Sequence, residues 1–81
     1  MKEKIGQAAG EIWKVLGEKG QVGISRLPDI ARMKADIAYQ ALGWLAHENK
    51  VDYNTKDGKT FVSLTPFESN IHKANMQKVM A

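Results

Sequence analysis

IAYQALGWLAHENKVDYNTKDGKTFVSL, residues 37–64, reads as the body of an amphipathic helix that stops at Asn49 and leads straight into a β-hairpin tipped by Lys56 and Lys59. Stepping ~100° per residue, a helix over residues 35–48 places Ile37, Ala41, Trp44 and Leu45 on one side, with Ala38 and Leu42 on its flank. That side is expected to be core, Trp44 included, so Trp44→Ala should cost ~3–5 kcal/mol. The opposite side presents Ala35, Asp36, Tyr39, Gln40, Gly43, Ala46 and His47, and no lysine or arginine. Asn49 falls where the chain must turn left-handed, a conformation that asparagine tolerates well.

The hairpin register follows from its loop. A two-residue type I′ turn at Asp57-Gly58 pairs Lys56 with Lys59, Thr55 with Thr60, Tyr53 with Val62 and Val51 with Leu64, which gathers the apolar side chains on one face. A three-residue loop would mix apolar and polar faces. Phe61 is left pointing outward with Asp52, Asn54 and Ser63, either covering a neighbouring loop or offering a partner surface.

Upstream, Ile5, Ala9, Ile12, Trp13 and Leu16 recur at helical spacing and predict a first helix over residues 3–17, ended by Gly17 and Gly20. Trp13, like Trp44, is read as core. Val22 and Ile24 alternate in a short strand over residues 21–24 that suits pairing beside the hairpin. Ser25 is expected to cap a brief second helix over residues 26–32, with Pro28 in its first turn and Leu27, Ile30 and Ala31 buried. Only Met33 and Lys34 separate it from the third helix, which sets the two at a steep angle. The fold class is therefore α+β, mainly α: a winged helix-turn-helix with a three-helix core, a short strand and a two-stranded wing over residues 1–65, plus a C-terminal helical extension over 66–81. Thr65-Pro66-Phe67-Glu68 starts that extension with a capping box. Its uneven stripe of Phe67, Ile71, Ala74, Met76, Val79 and Met80 must dock, on its own domain or on a second chain.

The 81 residues make one domain; 43% are apolar and 26% charged, a globular balance. Without cysteine there is no disulfide or thiolate site, and His47 and His72 are too far apart in sequence to suggest zinc. No cofactor is expected. No segment has the length of a bilayer span or the apolar run of a signal peptide, so the chain reads as cytoplasmic. Serines lack a nucleophile setting and acidic residues stand singly among lysines, which argues against an enzyme. Net charge is +3. Residues 1–33 hold six basic against four acidic side chains, whereas residues 34–59, the stretch expected to read DNA, balance four against four.

The run Ala41-Leu42-Gly43-Trp44-Leu45-Ala46, followed by Glu48, Lys50 and Val51, resembles the signature of a family of small stand-alone bacterial winged helix-turn-helix proteins of uncharacterised function. The resemblance covers residues 5–64, and Asn49 replaces the family's usual glycine. It implies the fold, and DNA binding by analogy. The sequence thus points to a transcriptional regulator or nucleoid-type protein on double-stranded DNA, acting as a homodimer. Helix 35–48 would lie in the major groove with Tyr39, Gln40 and Gly43 toward the bases, and Lys34, Lys56 and Lys59 on the backbone. The alternative is a protein-interaction winged helix with little DNA affinity. Phe61, Phe67, Ile71 and Met76 are the candidate partner surface. The chain has no room for a ligand-sensing domain, and no small-molecule substrate or membrane is expected.

Overall fold

The computed structural model describes the backbone of residues 2–80 and the side chains of residues 4–75. In chain order it has α1 (Lys2–Lys19), β1 (Gln21–Gly23), a 3₁₀ turn (Ile24–Arg26), α2 (Leu27–Ala31), α3 (Ala35–His47), β2 (Val51–Lys56), β3 (Lys59–Leu64) and α4 (Pro66–Met80). The strands form one antiparallel sheet in the order β1-β3-β2. Three helices and a β-hairpin wing in this order are a winged helix-turn-helix, carrying one further helix.

The wing has the register expected from its loop. Lys56 faces Lys59, Tyr53 faces Val62 and Val51 faces Leu64, with Asp57 and Gly58 at φ 53° and 76°. Both loop residues need positive φ in a type I′ turn, which aspartate and glycine accept at low cost. Partial burial pushes the Tyr53 phenol above its ordinary range, so at neutral pH it remains a neutral hydroxyl.

α1 runs through Gly17 to Lys19 and stops only at Gly20, whose φ of 84° breaks the helix while its N–H donates to the Leu16 carbonyl at 2.8 Å. The second helix is shorter than the sequence suggests. Ser25 does not cap it: the chain makes a 3₁₀ turn through Ser25, and no side chain caps Leu27–Ala31. Five residues cannot bury a full stripe, so Leu27 and Pro28 are covered while Ile30 is left exposed. Arg32 then takes φ 57°, its N–H donating to Asp29 and that of Met33 to Pro28. Asn49 closes α3 in the same way at φ 58°, with Asn49 N–H on Ala46 and Lys50 N–H on Leu45. Both ends are Schellman closures with a non-glycine residue in the left-handed position.

The core joins Ile12 and Leu16 of α1 to Leu27, to Leu42 and Leu45 of α3, and to Val22, Val51, Val62 and Leu64 of the sheet. Each such burial stabilises by ~1.5–3 kcal/mol. Ala8 and Ala9 of α1 and Ala38 and Ala41 of α3 are buried with them, and side chains this small let the two helices approach closely. That close approach corrects the expected orientation of α3. Its buried side is centred on Ala38, Ala41, Leu42 and Leu45, about 70° round from the expected centre at ~100° per residue. Ile37 is half-buried, Trp44 is 52% exposed on the flank, and Ala46, expected on the outward side, is half-buried against the core. An indole is too large for a seam of alanines. Trp13 is likewise a half-buried boundary residue rather than part of the fully covered core.

α4 packs against α1 and β3, and among the described residues its apolar stripe stays largely exposed. Phe67 is 69% exposed and Ile71 37%, and the side chains of Met76, Val79 and Met80 lie outside the described residues. Glu68 and His72 make the attachment instead. Only half of the capping box forms: the Glu68 N–H donates to Thr65 Oγ1 at 3.3 Å, while the Thr65 N–H goes to the Lys50 carbonyl at 3.0 Å. The Glu68 carboxylate is thereby available to accept the Trp13 indole N–H at 2.9 Å. One turn on, His72 is 6% exposed, its ring tilted 59° to that of Trp13 with centroids 5.2 Å apart, an edge-to-face type of contact. A Cβ on Gly17 would overlap the imidazole.

Gly17→Ala should therefore displace α4. We expect a net loss of ~1–3 kcal/mol from overpacking despite the better helix propensity of alanine. In an NMR spectrum the Trp13 indole N–H should move toward its solvent-exposed position. An unshifted indole signal would mean that His72 does not occupy the notch at Gly17.

Candidate nucleic-acid interface

The outward surface of α3 is open. Gln40 and His47 are exposed, and nothing lies within 4 Å of a Cβ built on Gly43. Tyr39, on one flank, leans toward the 3₁₀ turn: its hydroxyl donates to the Ile24 carbonyl at 3.3 Å, and the residue stays 45% exposed. Lys34 stands exposed at the N-cap of α3 in extended conformation. Lys56 and Lys59 are exposed and face each other across the wing tip. Like charges held opposite one another repel, and an anion between them relieves the repulsion.

The strand register adds two cations that reading along the chain did not place here. β1 runs antiparallel to β3, from Gln21 beside Ser63 to Gly23 beside Phe61, and so heads toward the wing tip. The 3₁₀ turn continues from it. Arg26, which ends the turn, consequently comes to the tip side of a cleft with Lys59, while Lys19, which precedes β1, lines its far end. This cleft of about 790 Å³ also takes in Ser25, Thr60 and Phe61, and none of its lining residues is acidic. Phe61 is half-buried, its ring at van der Waals distance (3.8 Å) from a Cβ built on Gly23, so it covers the neighbouring strand rather than standing free. Ile30, left exposed by the short α2, forms part of the same wall.

Strand pairing in this way carries Arg26, part of the positive excess of residues 1–33, toward the wing, and Lys19 lines the far end of the same cleft. The signal lay in the sequence, in the expected pairing of residues 21–24 beside the hairpin, but the register that sets Arg26 near Lys59, with Lys19 at the other end of the cleft, did not. Of the other candidates, Phe67 and Ile71 lie on α4, which packs against α1 and β3. Ile71 shares a second groove with Trp44, on the opposite flank of α3 from Tyr39.

A family model described as a winged helix-turn-helix domain (DUF2582) matches residues 1–64. The chain belongs to this family. It is 39% identical over 62 residues to the uncharacterized protein MJ1608 of Methanocaldococcus jannaschii, a match covering 73% of this chain and 86% of that protein. The solution NMR structure of protein BT2368 from Bacteroides thetaiotaomicron superposes with a TM-score of 0.71 at 30% identity, over 82% of this chain and 80% of that one. Every residue lining the wing cleft falls inside the segment that the family model matches, whereas α4 follows it. No helix among the described residues is long and apolar enough to cross a membrane.

Proposed function

We propose that this protein binds double-stranded DNA through its phosphate backbone with little dependence on sequence, as a nucleoid-type or regulatory protein of the cytoplasm. The observation that carries the reading is the cleft between the wing and the 3₁₀ turn, lined by Lys19, Arg26 and Lys59 and by no carboxylate. In a duplex complex α3 lies along the major groove, Lys34 and the cleft cations neutralise phosphates on either side of it, and Lys56 lies over the backbone at the wing tip. Arg26 and Lys19 supply the charge that α3 lacks. Base readout rests on Gln40, with Gly43 allowing close approach; the Tyr39 hydroxyl already donates to Ile24. One amide is little discrimination, which is why the reading is of weak specificity.

The test is titration of the full chain with random-sequence duplex at two salt concentrations, followed residue by residue by NMR. Shifts are expected at Arg26, Lys34, Gln40, Lys56 and Lys59 and not at Trp44, with affinity falling steeply as salt rises. Lys56→Glu with Lys59→Glu should weaken binding without unfolding the domain. Absence of any salt-dependent binding at low salt would sink the proposal.

A further inference from the structure

A groove of about 430 Å³ runs between α1, the C-terminal half of α3 and the first turns of α4. Trp44 and Ile71 form its walls, Trp13 and Leu45 its floor, and Lys14 and Lys50 line it as well. Half of the Trp44 surface is in water although the residue stands beside two apolar side chains and an indole. On the α1 side Gly6 and Gly10, one helical turn apart, have no atom within 4 Å of a built Cβ, so a backbone can come close there. The shape suits a helix laid along α1 with an apolar residue against Trp44.

Charge selects among possible helices. Glu68 is the sole carboxylate in the lining, and it accepts the Trp13 N–H, so with Lys14 and Lys50 the lining carries a net positive charge. The helix with exposed apolar side chains, Phe67 and Ile71, that a second copy would offer is α4, and its sequence holds Lys73 and Lys78 against Glu68. A second α4 would bring cations to cations. We infer that the groove is a docking site for an amphipathic helix of another protein, with an apolar stripe at i, i+3/4 and i+7 flanked by aspartate or glutamate. Trp44 and Tyr39 lie on opposite flanks of α3, about 140° apart at ~100° per residue, so such a helix and a duplex bind side by side. Docking of a helix at Trp44 requires no bound DNA.

The probe is a synthetic helix of ~16 residues, long enough to be helical on the surface, with a leucine stripe flanked by glutamates. A twin carries lysines in place of the glutamates. Added to the full chain, the acidic peptide should shift the Trp44 indole N–H in an NMR spectrum, and the basic twin should not. Trp44→Ala should weaken the acidic peptide at least ~10-fold, as loss of an aromatic anchor does. Lys14→Glu with Lys50→Glu should reverse the preference, so that the basic twin binds and the acidic one does not. Equal binding of both peptides to the unaltered chain, or binding of neither, overturns the inference. So does a dimer in sedimentation that Trp44→Ala dissolves, since the occupant is then a second copy.

Discussion

Affinity for random-sequence duplex DNA should fall by roughly 10²–10³-fold at about 0.1 M salt when Lys19→Glu, Arg26→Glu and Lys59→Glu are combined. Each phosphate contact contributes ~0.9 to the slope of log affinity against log salt. Three lost contacts therefore remove ~2.7 from that slope, and each is worth close to a factor of eight at this ionic strength. The three side chains are exposed, so the fold should survive, with stability changing by only ~0.5 kcal/mol or so per site. Fluorescence anisotropy of a labelled duplex over a salt series measures the slope, and circular dichroism checks the fold. Lys73→Glu, on the exposed side of α4, serves as a control that leaves the slope nearly intact. A slope unchanged by the triple substitution would remove the cleft from the interface, even if some binding persisted.

Leu16→Ala should be the most damaging truncation for stability. Leu16 is fully buried where α1 meets the sheet and α3, and its loss should cost ~2–5 kcal/mol in transfer and cavity terms. A domain this small holds only ~4–12 kcal/mol in total at 0.05–0.15 kcal/mol per residue, so the variant should be partly unfolded near physiological temperature. Trp44→Ala is the informative partner experiment. With half its surface already in water, Trp44 should cost only ~1–2 kcal/mol, well below the ~3–5 kcal/mol of a buried indole. Urea midpoints of the two variants decide the matter. Equal losses would mean that Trp44 is covered, contrary to the orientation of α3 described above.

The parts of the fold set by local chemistry were legible in the sequence. Asp57-Gly58 dictates its turn, the turn dictates the register, and Asn49 marks the helix end, because each depends on backbone preferences of a few adjacent residues. The orientation of α3 was not, since hydrophobicity ranks tryptophan as core while the packing distance to α1, set by Ala8, Ala9, Ala38 and Ala41, excludes it. The attachment of α4 was hidden for a related reason. Glu68 and His72 look solvated in isolation, and their burial depends on Trp13 and the notch at Gly17, both more than fifty positions earlier. At the candidate interface Lys34, Tyr39, Gln40, Gly43, Lys56 and Lys59 came from the helix-turn-helix layout. Lys19 and Arg26 did not, because the pairing of β1 with β3, rather than nearness along the chain, sets them in one cleft with Lys59.

That pairing has a thermodynamic corollary. Lys19 precedes the sheet and Lys59 opens its central strand, so a polyanion gripping both closes a long loop of chain. In the unfolded ensemble those ammonium groups are far apart on average, and bringing them together costs closure entropy. A multivalent anion spanning the cleft thus acts as a reversible staple, binding the native chain in preference to the denatured one and protecting it from melting.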